Sequence, residues 1–162
     1  MRFVLVSRFL AVEPGRSASA AVRFDPEDEI FEDHFPGMPL VPGTLLVEAM
    51  GQAAGGILVR AAGEGRWPLL VMIEQAKFRR PVRPGDEVRL EANVLSTRGA
   101  AARVRTAASV DGRRVAEATL VFHSVPLPED APRLAAFRAW ASARLLESGL
   151  AAFLDPKPGS NR

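Results

Sequence analysis

Between Asp33 and Gly43 a proline falls on every third residue, Pro36, Pro39 and Pro42, with Gly37 and Gly43 among them. Each ring fixes its own φ and removes an amide, so neither a helix nor a ladder can run through the segment, which is expected to be stiff and irregular. The chain then changes character. From Thr44 onward, Leu45, Ala49, Ala53, Ile57 and Ala61 make one i, i+4 row, and Leu46, Met50, Ala54 and Leu58 make the row beside it. That pattern predicts a helix apolar over most of its circumference and therefore buried on several sides. Thr44 is suited to its N-cap. Gly51, Gly55 and Gly56 weaken such a helix by up to about 1 kcal/mol each, a cost explained if another backbone passes close by.

The rest of the chain reads mainly as strands. Residues 3–12 and 18–24 precede the proline segment, with a turn at Pro14-Gly15 between them and Asp25-Pro26-Glu27 after them. Residues 69–78, 87–95, 102–110 and 114–124 come after Gly63-Glu64-Gly65, with breaks at Pro84-Gly85-Asp86, Thr97-Arg98-Gly99 and Asp111-Gly112. Asp111-Gly112 is a strong hairpin signal, because a type I′ turn needs positive φ at both central positions. Val88, Leu90, Ala92 and Val94 alternate with Arg89, Glu91 and Asn93, as in a sheet with one wet face. One buried helix against an antiparallel sheet is an α+β arrangement. Residues 126–130 read as a linker, and Asp130 could cap a final helix over 131–150. Its stripe of Leu134, Phe137, Trp140, Ala141 and Leu145 is expected to pack on the same chain, with a docking surface for a partner as the alternative. Residues 155–162 are expected to fray. The chain thus divides into a body, 1–124, and a helical extension with a tail, 125–162.

Composition narrows the chemistry. In 162 residues, 48% hydrophobic, there is enough apolar mass for one substantial core. The absence of cysteine excludes disulfides, thiolate nucleophiles and the common structural zinc sites, and makes the cytoplasm the default location. Residues 1–12 superficially resemble a signal peptide, but Arg8 cuts the apolar run and no small-residue cleavage site precedes Glu13-Pro14-Gly15. No stretch is long and uncharged enough to cross a bilayer. A net charge of +2 is far from the dense basic stripe of a nucleic-acid binder. Lys77, Arg79, Arg80 and Arg83 could still attract an acidic partner, or simply form a solvated strand edge.

Two residues point to catalysis together more than either does alone. Glu48 lies in the first turns of an apolar helix, where a carboxylate is costly to bury and its pKa tends to rise. Gln52, one turn on, could hydrogen-bond to it or orient it. The plainer reading of Glu48 is an acid favoured by the helix dipole. His34 sits in the stiff segment just before the helix. A loop histidine is usually incidental, but an imidazole on rigid backbone beside a carboxyl in apolar surroundings suits general acid–base work.

The stretch His34-Phe35-Pro36-Gly37-Met38-Pro39-Leu40-Val41-Pro42-Gly43, followed by Glu48-Ala49-Met50 and Gln52, resembles the signature of the 3-hydroxyacyl-[acyl-carrier-protein] dehydratases of fatty-acid synthesis. Lys77-Phe78-Arg79-Arg80-Pro81-Val82-Arg83-Pro84-Gly85-Asp86 looks like a second block of that family. The resemblance runs from about Phe3 to Phe122. It implies a hotdog fold, in which a long central helix is wrapped by a curved antiparallel sheet, and a homodimer whose sheets join, alone or as a trimer of dimers. It also implies His34 as catalytic base and Glu48 as catalytic acid, with each site taking Glu48 from the opposite subunit. Gly43 would bind the thioester carbonyl through its amide, with Gln52 counted among the oxyanion and substrate-binding residues. The implied reaction is reversible dehydration of a 3-hydroxyacyl thioester to the trans-2-enoyl thioester, in fatty-acid or related polyketide or polyene synthesis. Its partner would be an acyl carrier protein bearing a phosphopantetheine-linked acyl chain. No cofactor and no metal are implied, and the only histidines available as ligands are His34 and His123.

Three departures from the family pattern stand out. Leu5-Val6-Ser7-Arg8 has serine where many relatives have aspartate. The chain has no tyrosine, so the tyrosine that gates the acyl tunnel at about Leu69 is missing. A helix after Ser124 is no part of the common core. A hotdog thioesterase and a non-catalytic acyl-binding or scaffolding subunit remain the alternative functions.

Overall fold

The computed structural model describes residues 4–62, 65–127, 133, 135, 136, 139, 141, 143, 144 and 147–150. Six strands form one antiparallel sheet: β1 (Arg8–Glu13), β2 (Ser17–Arg23), β3 (Arg66–Phe78), β4 (Glu87–Arg98), β5 (Ala101–Val110) and β6 (Arg113–Pro126). Their order across the sheet is β1-β2-β4-β5-β6-β3. A short helix, α1 (Ile30–Asp33), and the 19-residue α2 (Gly43–Ala61) join β2 to β3. Register shifts in β1, β3, β4 and β6 bend the sheet, and α2 touches all six strands. This is the α+β hotdog arrangement that the resemblance implied.

The two apolar rows of α2 are buried as expected except at Ala61, the last residue of the helix, which is exposed. Ala49, Met50, Ala53, Ala54 and Ile57 are inaccessible to solvent and meet Val22 of β2, Val88, Leu90 and Ala92 of β4, Val104 of β5 and Leu120 of β6 in one core. Each large member, such as Met50, Ile57 or Leu120, contributes roughly 1.5–3 kcal/mol by leaving water. In β4 the residues facing away, Arg89, Glu91 and Asn93, are exposed, which gives the predicted alternation.

Several boundaries differ from expectation. The first strand begins at Arg8 because the amides of Leu5 and Val6 are taken by the side-chain oxygen of Gln52 on α2, at 2.8 and 3.3 Å, rather than by a neighbouring strand. α1, a single turn with no side-chain cap, is an element beyond those expected, and it carries Phe31 into the core. α2 starts at Gly43, since the carbonyl of Pro42 accepts the amides of Leu45 and Leu46, which puts Thr44 inside the first turn instead of at the cap. β3 starts three residues early, running through Pro68, which an edge strand tolerates. β4 and β6 also run further than expected, into Arg98 and Pro126. The Asp111-Gly112 turn has φ of 49° and 73°, as a type I′ turn requires. The α2 glycines are approached by side chains, not by backbone: Phe9 and Leu150 at Gly56, Leu70 and Leu120 at Gly51, Phe122 at Gly55.

Beyond β6, Arg133, Ala135, Ala136, Ala139, Ala141, Ala143, Arg144 and Glu147 are helical. Ala141 and Leu150 are buried, and Ser148 O accepts the amide of Phe9 at 2.9 Å, so this segment packs on its own chain. Leu134, Phe137, Trp140 and Leu145 of the expected stripe, Asp130 and the tail lie outside the described residues.

Candidate active site

His34 follows α1 directly and opens the proline segment. The segment is anchored at both ends: Leu40 N donates to His34 O at 3.0 Å, and Val41 N donates to Val82 O at 2.8 Å. His34 Nδ1 lies 3.2 Å from Leu40 O. A carbonyl only accepts, so this contact puts the proton on Nδ1 and leaves the lone pair on Nε2. The ring is half-buried and faces that of Phe35, with centroids 4.4 Å apart.

Gly43 begins α2, so its amide has no acceptor within the helix's own ladder. The position cannot hold a side chain as it stands: a Cβ there would be 2.9 Å from Cε1 and Cζ of Phe78. Glu48, half-buried in the second turn, accepts a hydrogen bond at Oε1 from Gln52 Nε2 at 3.0 Å. Because Gln52 Oε1 faces two backbone donors, Leu5 N and Val6 N, its amino group is turned toward Glu48.

His34, Gly43 and Glu48 of one chain line a single cavity of about 850 Å³, closed on the far side by Leu70, Ile73 and Phe78 of β3 and by Arg79 and Arg80. Glu48 and Leu70 also line a second, mainly apolar cavity of about 630 Å³ that follows α2 past Gln52 and Gly55 to Val59. The arrangement provides a nitrogen lone pair, a free helix amide and a carboxyl around one space, with a greasy channel leading away from the carboxyl. Leu69, at about the place of the missing tyrosine, lies on the wall of that channel.

The walls of the site are less visible in the sequence than its polar groups. Phe78 over Gly43 has no local signal, because the contact joins residues far apart in the chain. The run Leu69-Leu70-Val71-Met72-Ile73 does carry one, since five consecutive apolar residues break the strand alternation. Ser7, in place of the family's aspartate, accepts the amide of Arg23 at 3.3 Å, while Arg8 pairs with Glu87. His123 is exposed on β6 opposite Leu69 and does not line the His34 cavity. Among the described residues no group of three or more metal-ligating side chains is gathered, and no helix is long and apolar enough to cross a membrane.

Comparison with known proteins bears on this geometry. The FabA-like domain family matches residues 1–119. A 3-hydroxyacyl-[acyl-carrier-protein] dehydratase FabZ from Listeria innocua is 38% identical over 128 residues, 78% of this chain and 89% of that protein. The protein of the same name from Bacillus pumilus is 39% identical over 125 residues, 76% and 87% respectively. Among solved structures, the dehydratase heterocomplex ApeI:P from Xenorhabdus doucetiae superposes with a TM-score of 0.53 at 22% identity, covering 67% of this chain and 88% of that one. A thioesterase superfamily member from Thermus thermophilus superposes with a TM-score of 0.61 at 22% identity, covering 83% and 96%. The two structural likenesses speak to the fold alone.

Proposed function

The chain belongs to the FabA-like family, alongside the FabZ dehydratases, and from that premise we infer that it catalyses reversible dehydration of 3-hydroxyacyl-[acyl-carrier-protein] to the trans-2-enoyl thioester in fatty-acid synthesis. The observation that supports the assignment of roles is that His34 and Gly43 open onto a space walled by β3 which Glu48 also borders, and that this space adjoins, at Glu48 and Leu70, an apolar channel suited to an acyl tail.

The α-proton of a thioester is weakly acidic and a 3-hydroxyl leaves poorly, so elimination needs a base at one carbon and an acid at the next. Nε2 of His34 takes the α-proton. The negative charge that develops on the thioester oxygen is met by the Gly43 amide and the N-terminal dipole of α2. Glu48 Oε1 is held as an acceptor by Gln52, so the acidic proton sits on Oε2 and passes to the departing hydroxyl, which leaves as water. The proton gained by His34 and the one lost by Glu48 are then exchanged with solvent, and the same steps in reverse hydrate the enoyl thioester. Gln52 acts in this scheme as a positioning residue.

The working form is a homodimer joined along β3. That strand ends the sheet, and Val71, Met72 and Ile73 are 58%, 56% and 49% exposed in the single chain. An edge strand with such an apolar surface is expected to be covered. Because β3 also walls the His34 cavity, the exchange of Glu48 between subunits that the resemblance implies would take place across this seam. The exposed cation Arg80 on the cavity wall, with exposed Arg83 three residues on, favours docking of an acidic carrier domain. The protein works in the cytoplasm on this reading, with the extension after residue 124 as an addition to the dehydratase body.

The test is incubation of the protein with a 3-hydroxyacyl carrier protein, with enoyl product followed for wild type, His34→Ala and Glu48→Gln. Each substitution is expected to lower kcat about 10²–10⁴-fold. Wild-type turnover in both variants would remove these residues from the mechanism, and release of free acid instead of enoyl product would favour the thioesterase alternative.

A further inference from the structure

Past Gly55 the channel is narrowed, in part by a section of the chain outside the family match. Glu48, Gly51, Gln52, Gly55, Gly56 and Val59 recur every three or four residues and form one face of α2, along which the apolar cavity runs. Gly51 and Gly55 are not required by packing, since a Cβ at either would meet nothing closer than 3.9 Å; their bare backbone leaves the channel open. At Gly56 this changes. A Cβ there would stand 2.6 Å from the ring of Phe9 and 3.2 Å from Leu150 Cδ2.

Leu150 is 3% exposed and fixed in place. The amide and hydroxyl of Ser148 both donate to Arg144 O, at 3.1 and 2.9 Å, and Ser148 O accepts the Phe9 amide at 2.9 Å. Gly149, with φ of 70°, then turns the chain so that Leu150 enters the cavity wall beside Arg144 and Ser148. The matched family domain stops at residue 119.

We propose that Leu150 is the end stop for the acyl tail, so that the C-terminal segment sets the longest chain the enzyme processes. This rests on the dehydratase reading. Glu48 and Gly56 are eight positions apart, which on a helix is roughly 12 Å. An extended chain advances about 1.2 Å per bond. The channel therefore takes a tail of about ten bonds beyond the hydroxyl-bearing carbon before it meets Leu150.

The experiment measures kcat/KM of the full-length protein on 3-hydroxyacyl carrier proteins of graded tail length, for wild type, Leu150→Trp and Leu150→Val. In wild type kcat/KM is expected to rise up to about fourfold per methylene until the tail reaches the stop, and then to fall. Leu150→Trp should move that break at least two carbons shorter, and Leu150→Val about one carbon longer. The valine variant loses a single methylene and keeps the test open should the tryptophan variant not fold. Dehydration with the break unmoved in every folded variant would overturn the proposal. Absence of enoyl product from wild type at every length would instead overturn the dehydratase reading beneath it.

Discussion

The side-chain amide of Gln52 donates to Glu48 across one turn of α2 at 3.0 Å, and it cannot turn away, because its own oxygen is occupied by the amides of Leu5 and Val6. One oxygen of the carboxyl is thereby kept as an acceptor, and in the proposed mechanism the other serves the substrate. Gln52→Leu removes the donor and is expected to lower kcat about 10–100-fold, the value of one hydrogen bond to such a group. KM should change less than kcat, because the hydrogen bond acts on the transition state while leucine keeps an apolar side chain on the channel wall. A parallel rise in KM with kcat unchanged would mean that Gln52 serves binding alone.

The exposed edge of β3 gives a second expectation. Ile73→Lys places a charge on a strand that is already solvated in the single chain, so the protomer should still fold, with an unchanged circular-dichroism spectrum. Sedimentation should show half the wild-type mass, and activity should fall with it. A variant that stays dimeric and fully active would place the seam elsewhere.

At the start of α2 the Phe78 ring occupies the space a side chain at residue 43 would need. Gly43→Ala should therefore lower kcat/KM by pushing the ring or the first turn. In Gly43→Ala combined with Phe78→Ala part of the loss should return. A double-mutant cycle in which the two losses simply add would show that the contact is not the cause.

On the outer face of the sheet, Arg103 Nε bonds both oxygens of Glu74, at 2.9 and 2.7 Å, and this hydrogen bond, with the guanidinium charge, holds the Glu74 carboxyl below the usual glutamate range. A carboxyl lowered on folding stabilises the protein above its unfolded pKa, and that contribution is lost as pH falls through the lowered value. Arg103→Met should return Glu74 to a higher titration midpoint in an NMR experiment. The acid-unfolding midpoint should barely move, because the pair is solvent-screened. A large shift in that midpoint would contradict this.

The fold was legible where the sequence pattern is local. The two rows of α2 up to Leu58, the alternation in β4 and the Asp111-Gly112 turn each arise from neighbouring residues and appear as expected. Boundaries slipped where a distant group decided them: Gln52 took the amides that would have lengthened β1, and the edge position of β3 admitted Pro68. The candidate site shows the same division. His34, Gly43, Glu48 and Gln52 could be picked out because they sit on one short stretch. Phe78 and Leu150 could not, since each reaches the site through tertiary packing.

Gly51 and Gly55 could each carry a methyl group at ordinary contact distance, and alanine would make α2 firmer. The helix instead presents naked main chain to its hollow side, so its stiffness depends on whatever lies against it. An acyl tail in that hollow would stand in for the absent side chains, and while it was being processed the substrate would serve for a time as part of the hydrophobic core.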